Sequence, residues 1–263
     1  MKKLLIALPI IALFIACNNE AKVIEEPINE EVQLEENEKT AVLSEELLSM
    51  FEFTMINQPL PLNVIKSIDK FDGNNDLQLE EIISAEDILG SYKKNLALGI
   101  YGSQLLYVIE KNHFSQIPSL LKVVNTLSDN IGFPEIIDAK KMAFYEANKE
   151  NKDSLSLMAI NTFEELSAEL KNNGQIEQAT LILTAGKIES IRLGVLSLEK
   201  ASDKDALITE LKKESNSISE LLLILNEFKA DENINNFIIK TNEIQTELNK
   251  ETIDSKYFES LTF

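Results

Sequence analysis

Tryptophan is absent from the 263 residues, and cysteine, histidine and arginine occur once each, as Cys17, His113 and Arg192. Each scarcity closes off a class of chemistry. A lone cysteine forms no internal disulfide, so the fold has to be held by its core. One histidine and one cysteine cannot build a Cys/His zinc site. The two Glu-x-x-His pairs that a di-iron bundle uses cannot be assembled either. Neither a Gly-x-Ser-x-Gly elbow nor a phosphate-binding P-loop occurs, and His113 has no nucleophile or orienting acid beside it in the sequence. No catalytic residue, metal site or cofactor is therefore nominated. Cations are also in the minority: Lys and Arg number 25 against 44 Asp and Glu, for a formal charge of −19. Such a chain repels nucleic acid and anionic headgroups, which excludes nucleic acid as a partner.

The exception to this acidity stands at the start. Lys2 and Lys3 precede an apolar run from Leu4 to Phe14, which has the length of a signal core and is too short to span a bilayer. The run leads into Phe14-Ile15-Ala16-Cys17. Ala16 is a small residue before a cysteine, as cleavage by signal peptidase II requires, while Phe14 replaces the commoner leucine. The expectation is a lipoprotein signal peptide over residues 1–16, cut after Ala16, with lipid on Cys17. Loss of Lys2 and Lys3 takes the formal charge from −19 to −21. Two or more acyl chains anchor stably where one is marginal, so outer-membrane attachment is expected, facing either the periplasm or the outside. No later apolar stretch reaches the length of a membrane span.

Residues 17–40 read as the lipidated cysteine followed by an acidic, disordered tether. Eight glutamates from Glu20 to Glu38 stand against Lys22 and Lys39, with Pro27 and no aromatic. Such a segment cannot bury enough surface to fold and repels itself into an extended spacer. Acidic residues soon after a lipidated cysteine also route some lipoproteins to the cell surface, and the two roles weigh equally.

Residues 41–263 read as one all-α domain, an elongated antiparallel helical bundle. Its first part is mixed: Ser44-Glu45-Glu46 can start a helix, while Phe51-Glu52-Phe53-Thr54-Met55-Ile56 alternates like a strand. Pro61 suits the first turn of a helix through Val64, Ile65 and Ile68. Helical periodicity then predicts helices at 78–87, 91–112, 115–130, 134–149, 152–172, 175–200, 203–229 and 231–249. Asn130-Ile131-Gly132 and Asn172-Asn173-Gly174 are stop signals, and Ser202 and Asp231 are candidate N-caps. Core stripes are Leu211, Ile218, Leu221, Leu222, Leu225 and Phe228, then Ile234, Phe237, Ile238, Ile244 and Leu248. Short polar turns favour antiparallel neighbours.

Within this domain a few constellations stand out. Asp72, Asn74 and Asp76 are spaced like the first ligands of an EF-hand, but Leu77 replaces the turn glycine and Ile83 the bidentate glutamate. A polar loop, with Asp76 capping a helix, is the better reading. Gly99, Tyr101, Gly102 and Ser103 lie inside a long helix, where each glycine costs about 1 kcal/mol relative to alanine. The compensation is either close helix packing or a ligand resting on exposed backbone. Gly186 and Gly194 form a second small-residue face that can meet the first. His113 is placed to cap the carbonyls of the helix it follows. Arg192, three residues after Glu189, is expected to pair with it. A glycosidase-type pair of carboxylates stays open, with no two residues singled out.

The order of features from Pro59 to Gly194 is also familiar. Pro59-Leu60-Pro61-Leu62 opens a helix, and Leu96-Ala97-Leu98-Gly99-Ile100-Tyr101-Gly102 follows. Leu127-Ser128-Asp129-Asn130-Ile131-Gly132-Phe133 closes a helix, Asn148 to Leu155 marks a turn, and Ala185-Gly186-Lys187-Ile188-Glu189 lies in a later helix. This resembles a family of uncharacterised helical lipoproteins of Bacteroidetes, although Lys187 and Ile188 stand where that family often has an aromatic. The resemblance implies an envelope location and an all-α fold, and carries no catalytic residue over.

Two functions follow as expectations. The first is a non-enzymatic helical binding or scaffold module with an envelope protein or glycan as partner. The second is a pocket protein, either a small-ligand binder or a carboxylate-dependent hydrolase, with its site near Tyr101 and Gly102. The anchor itself is directly testable. Cys17→Ala is expected to move the protein from the membrane fraction to the soluble fraction, and a variant that stays with the membranes would remove the lipid anchor from the reading.

Overall fold

The computed structural model describes residues 45–55, 61–71, 77, 79, 82–134 and 136–261, all within one compact unit, Leu43–Phe263. Ala16, Cys17, the acidic stretch to residue 40 and the Asp72 to Asp76 segment lie outside the described residues. The described residues are all-α, with no strand among them. Helix α1 covers 45–55. It is followed by α2 (Leu62–Phe71), α3 (Ser91–Glu110), α4 (Ile117–Asn130), α5 (Ala139–Asn148) and α6 (Lys152–Asn172). The remainder are α7 (Ile176–Ser197), α8 (Lys204–Asn226), α9 (Glu232–Leu248) and the short α10 (Ser255–Glu259).

The chain's local chemistry explains most of these boundaries. Asp138, Asn151, Asp203 and Asp231 each accept a backbone N–H from the first turn of α5, α6, α8 and α9, satisfying donors that have no intrahelical partner. Asp231 is the cap expected, but α8 is capped by Asp203 rather than Ser202. Ser202 is drawn away because its hydroxyl and its amide both donate to the Phe71 carbonyl at the end of α2. The predicted stops at Gly132 and Gly174 are Schellman motifs: each glycine has a positive φ, of 97° and 71°. The next residue's amide then reaches back to Ser128 and to Leu170.

Three expectations are corrected. Residues 51–55 are helical rather than strand-like. The apparent alternation depended on Phe53, which is 66% exposed, whereas Phe51 and Thr54 are buried on a helical stripe. The helix expected at 78–87 does not form over its described residues: 82–84 are irregular and 85–87 make a single turn. This segment is instead pinned to α3 by its backbone, the Leu77 amide donating to the Tyr107 hydroxyl and the Ile83 amide to the Tyr101 hydroxyl. The helix expected from residue 134 starts only at Ala139, because Pro134 sits in a turn and Asp138 provides the cap.

Helix α7 is the hub of the bundle. It packs against α2, α3, α6, α8 and α10, and is buried on nearly every face. Its neighbour in sequence, α8, runs antiparallel to it, since Lys187 meets Glu214 and Gly194 meets Leu211. Helix α3, remote in sequence, runs in the same direction as α7: Gly99 lies on Ile182, Ser103 on Gly186 and Gln104 on Glu189. Glycine makes this approach feasible. A Cβ on Gly99 would overlap the Ile182 carbonyl oxygen, and one on Gly186 would sit 3.1 Å from the Ser103 hydroxyl. Ser103 Oγ donates to the Gly186 carbonyl at 2.7 Å, so the small-residue faces of α3 and α7 do meet there. The other two glycines face elsewhere: Gly102 lies under the Phe163 ring of α6, and Gly194 under Leu211 of α8.

This division predicts unequal tolerance. Gly99→Ala drives a methyl into backbone, which cannot swing away, and is expected to destabilise by about 2 kcal/mol or more after the gain in helix propensity. Gly102→Ala meets only a half-buried aromatic side chain and is expected to stay within about 1 kcal/mol of the parent. Urea unfolding of the two variants side by side measures the difference.

Candidate functional site

The residues nominated on α3 do not form one site. Successive helix residues point about 100° apart, so Gly99, Gly102 and Ser103 face one way and Tyr101 another. The first three line a small apolar cavity of about 60 Å³, shared with Phe163 and Ile182. Tyr101 lines a separate cleft of about 410 Å³ on the opposite flank of α3. The second space has the size and mixture of surfaces expected of a small-molecule site.

Three elements and Leu261, near the chain end, build the cleft. Helix α3 contributes Ala97, Ile100, Tyr101 and Gln104, α7 contributes Glu189 and Arg192, and the irregular segment after residue 82 contributes Ile83, Asp87, Ile88 and Leu89. The bonds from Leu77 and Ile83 to the two tyrosine hydroxyls hold that segment along α3. The Tyr101 hydroxyl is thus a structural tie as well as part of the wall.

Part of the polar lining is a buried trio. Arg192 grips Glu189 through two donors, Nε at 2.7 Å and Nη2 at 2.9 Å. The helical spacing of three residues makes that pairing available, and the planar guanidinium makes it bidentate. Gln104 Nε2 donates to the same carboxylate at 2.9 Å. All three side chains are buried, with Gln104 at 5% exposure. Both Glu189 oxygens are therefore engaged, and the pair carries no net charge. Asp87 is a second carboxylate in the lining, but a carboxylate clamped like Glu189 is poorly placed to take or give a proton. Gln104 Oε1 is the exception: it is buried and accepts no hydrogen bond from the described residues. Leaving such an acceptor unmade costs about 1–3 kcal/mol.

The Glu189–Arg192 pair was legible from its spacing, but Gln104 was not. The available clue was the chain's sole arginine inside the long helix α7, where a buried charge needs partners. His113 follows the end of α3. The end of α3 is closed by backbone: Asn112 adopts a φ of 59°, its amide donates to Ile109, and the His113 amide donates to Val108. The His113 ring lies edge-on to Tyr107, 6.4 Å between centroids.

Two other charged clusters, one buried and one half-buried, hold helices together away from the cleft. Lys187 Nζ lies 2.7 Å from Glu214 and donates to Ser217 Oγ, joining α7 to α8 with both charged side chains 2% exposed. Burial pushes the lysine down and the glutamate up, each against the pull of its partner. On the other side, Lys152 of α6 bridges Asp69 of α2 and Glu110 of α3, and Ser156 Oγ donates to Glu110 at 2.6 Å. Burial works against the Lys152 charge, but its two acidic partners outweigh it and raise its pKa. Among the described residues, no group of three His, Cys, Asp or Glu side chains is arranged to hold a metal ion.

The α7–α8 pair gives a sharp stability test. Lys187→Met strands Glu214 and is expected to lower stability by about 3–5 kcal/mol, whereas Lys187→Met with Glu214→Leu is expected to return close to the parent or above it. Chemical denaturation of the parent and both variants checks this. A single variant as stable as the parent would mean that the pair carries no such burden.

Comparison with known proteins finds no matching family model, no similar curated protein and no similar solved structure.

Proposed function

We propose that this chain is a non-enzymatic envelope lipoprotein, held at the outer membrane by lipid on Cys17, whose helical domain binds a ligand in the cleft beside Tyr101. The observation that carries the reading is the cleft itself, about 410 Å³. Its polar groups come from positions 85 residues apart, Gln104 and Glu189, while its remaining lining is largely aliphatic. Convergence of a few buried polar groups in an apolar concavity is the usual form of a small-molecule site. The engagement of both Glu189 oxygens argues for binding rather than hydrolysis. The signal-like start, the cysteine after Ala16 and the resemblance to Bacteroidetes helical lipoproteins support the location. No helix among the described residues is long and apolar enough to cross a membrane, consistent with attachment through lipid.

A second reading, a scaffold for an envelope protein or glycan, draws on a different observation. Leu223 of α8 and Ile239 of α9 are 61% and 51% exposed, and exposed aliphatic groups suit a partner's surface.

One experiment separates the two. A photo-cross-linking residue is placed in intact cells at Leu89, which is highly exposed beside the cleft, or at Leu223. The expected result is a discrete low-mass adduct at position 89, reduced at least about fivefold by Ala97→Phe, which fills the cleft. Protein adducts at 223 with none at 89 would transfer the assignment to the scaffold reading.

A further inference from the structure

We propose that the cleft takes a zwitterion with an aliphatic side chain, its ammonium against Asp87 and its carboxylate against Lys93. A free amino acid and a short peptide share that chemistry. This rests on the reading of the cleft as a ligand site and adds the chemistry of the ligand.

The first argument concerns the placement of two charges. Asp87 and Lys93 both line the cleft and both are exposed, so a ligand in the open space reaches them. They come from different walls. Asp87 belongs to the segment that the Ile83 amide ties to the Tyr101 hydroxyl. Lys93 stands one turn before Ala97, on the stripe of α3 that continues through Ile100 and Tyr101. The ion pairs of the described residues leave both out, and the two are not paired with each other. Each is therefore open to the opposite charge on a ligand.

The second argument concerns balance. Arg192 and Glu189 answer each other through two hydrogen bonds, and the lining otherwise offers one acid, Asp87, and one base, Lys93. A plain anion meets Lys93, but also Asp87 and the repulsion of a chain whose formal charge is −19. A plain cation meets Asp87 but is set beside Lys93. A zwitterion answers both groups and carries no net charge through the field. The carboxylate end is further favoured at Lys93, which lies in the first turn of α3 at the positive end of the helix dipole. The cap residue, Gly90, brings no side-chain acceptor to the amides of that turn.

The third argument concerns the side chain of the ligand. Ile83 and Leu89 are 57% and 76% exposed although they line the cleft. Aliphatic groups flank both charges: Ile88 and Leu89 follow Asp87 directly, and Ala97 and Ile100 follow Lys93 along α3. Covering them removes apolar surface from water, which favours an aliphatic side chain over a polar one. The cleft volume, about 410 Å³, is in the range of small-molecule sites.

The test uses the full chain, made unlipidated by Cys17→Ser, with isoleucine methyl groups labelled for NMR. Ile83, Ile88 and Ile100 report on the cleft. Leucine and leucyl-leucine are the zwitterionic probes. N-acetylleucine lacks the ammonium, and leucinamide lacks the carboxylate, at a pH where its amine is protonated. The expected result is saturable movement of the cleft methyls with leucine, leucyl-leucine or both, and a response at least about fivefold weaker to the two singly charged probes. Tighter binding of leucine identifies a free amino acid as the source, and tighter binding of leucyl-leucine a peptide. In Asp87→Asn the advantage of the zwitterion over N-acetylleucine is expected to vanish while its advantage over leucinamide persists, and Lys93→Gln is expected to do the reverse. Both side chains are exposed, so these variants keep the fold. Equal or tighter binding of N-acetylleucine or leucinamide by the parent would overturn the zwitterion assignment while leaving the ligand cleft standing. A pair of variants that keeps both advantages would also overturn it. Absence of any cleft response to the probes would remove the assignment, while the cross-link at Leu89 judges the ligand cleft independently.

Discussion

The close parallel crossing of α3 and α7 at Gly99 and Gly186 is the contact on which the rest of the bundle is arranged. With side chains removed at that point, two backbones come near enough for Ser103 to bond the Gly186 carbonyl directly. The register set there carries Gln104 onto Glu189 one turn later. The floor of the cleft is therefore a consequence of the crossing: an added methyl at Gly99 would act on the cleft polar groups as well as on packing. The glycines forgo about 1 kcal/mol each in helix propensity, and the contact they permit is between two of the longest buried surfaces in the molecule.

Burying α7 on nearly every face has a second consequence. Its sequence carries Lys187, Glu189 and Arg192 into the interior, and isolated buried charges are strongly disfavoured. Each is answered locally or by a neighbour: Glu189 and Arg192 by each other and by Gln104, Lys187 by Glu214. The partners come from α3 on one side and α8 on the other. The ionic groups thus tie α7 to α3 on one side and to α8 on the other. Lys187 serves as the link to α8.

Irregular structure has a definite place in this arrangement. The described residues of the segment before α3 are not helical, and the Leu77 and Ile83 amides donate to tyrosine hydroxyls on α3. Held in that way, it forms a wall of the cleft and leaves Ile83 and Leu89 uncovered beside it. A further helical turn there would satisfy the same amides internally and lose the tie to the wall.

Local chemistry was readable directly from the residues. Helix α9 was legible because Asp231 and its apolar stripe report interactions within one turn or one face. The ends at Gly132 and Gly174 were legible because a positive φ favours glycine. The spacing of Glu189 and Arg192 declared an intrahelical pair for the same reason. By contrast, residues 51–55 carried two periodicities at once, and only the exposure of Phe53 decided between them. Residues 82–87 satisfied a helical pattern, yet the Ile83 amide goes to the distant Tyr101 hydroxyl. The stretch from Gly99 to Ser103 was singled out correctly as unusual, yet its members divide between two faces, and Gln104, which bonds Glu189, lay just beyond it. Nothing within a few residues of Gln104 reveals that Glu189 will orient its amide. That fact depends on the crossing of α3 and α7, a contact between segments far apart in sequence, whose register is set by the whole packed bundle.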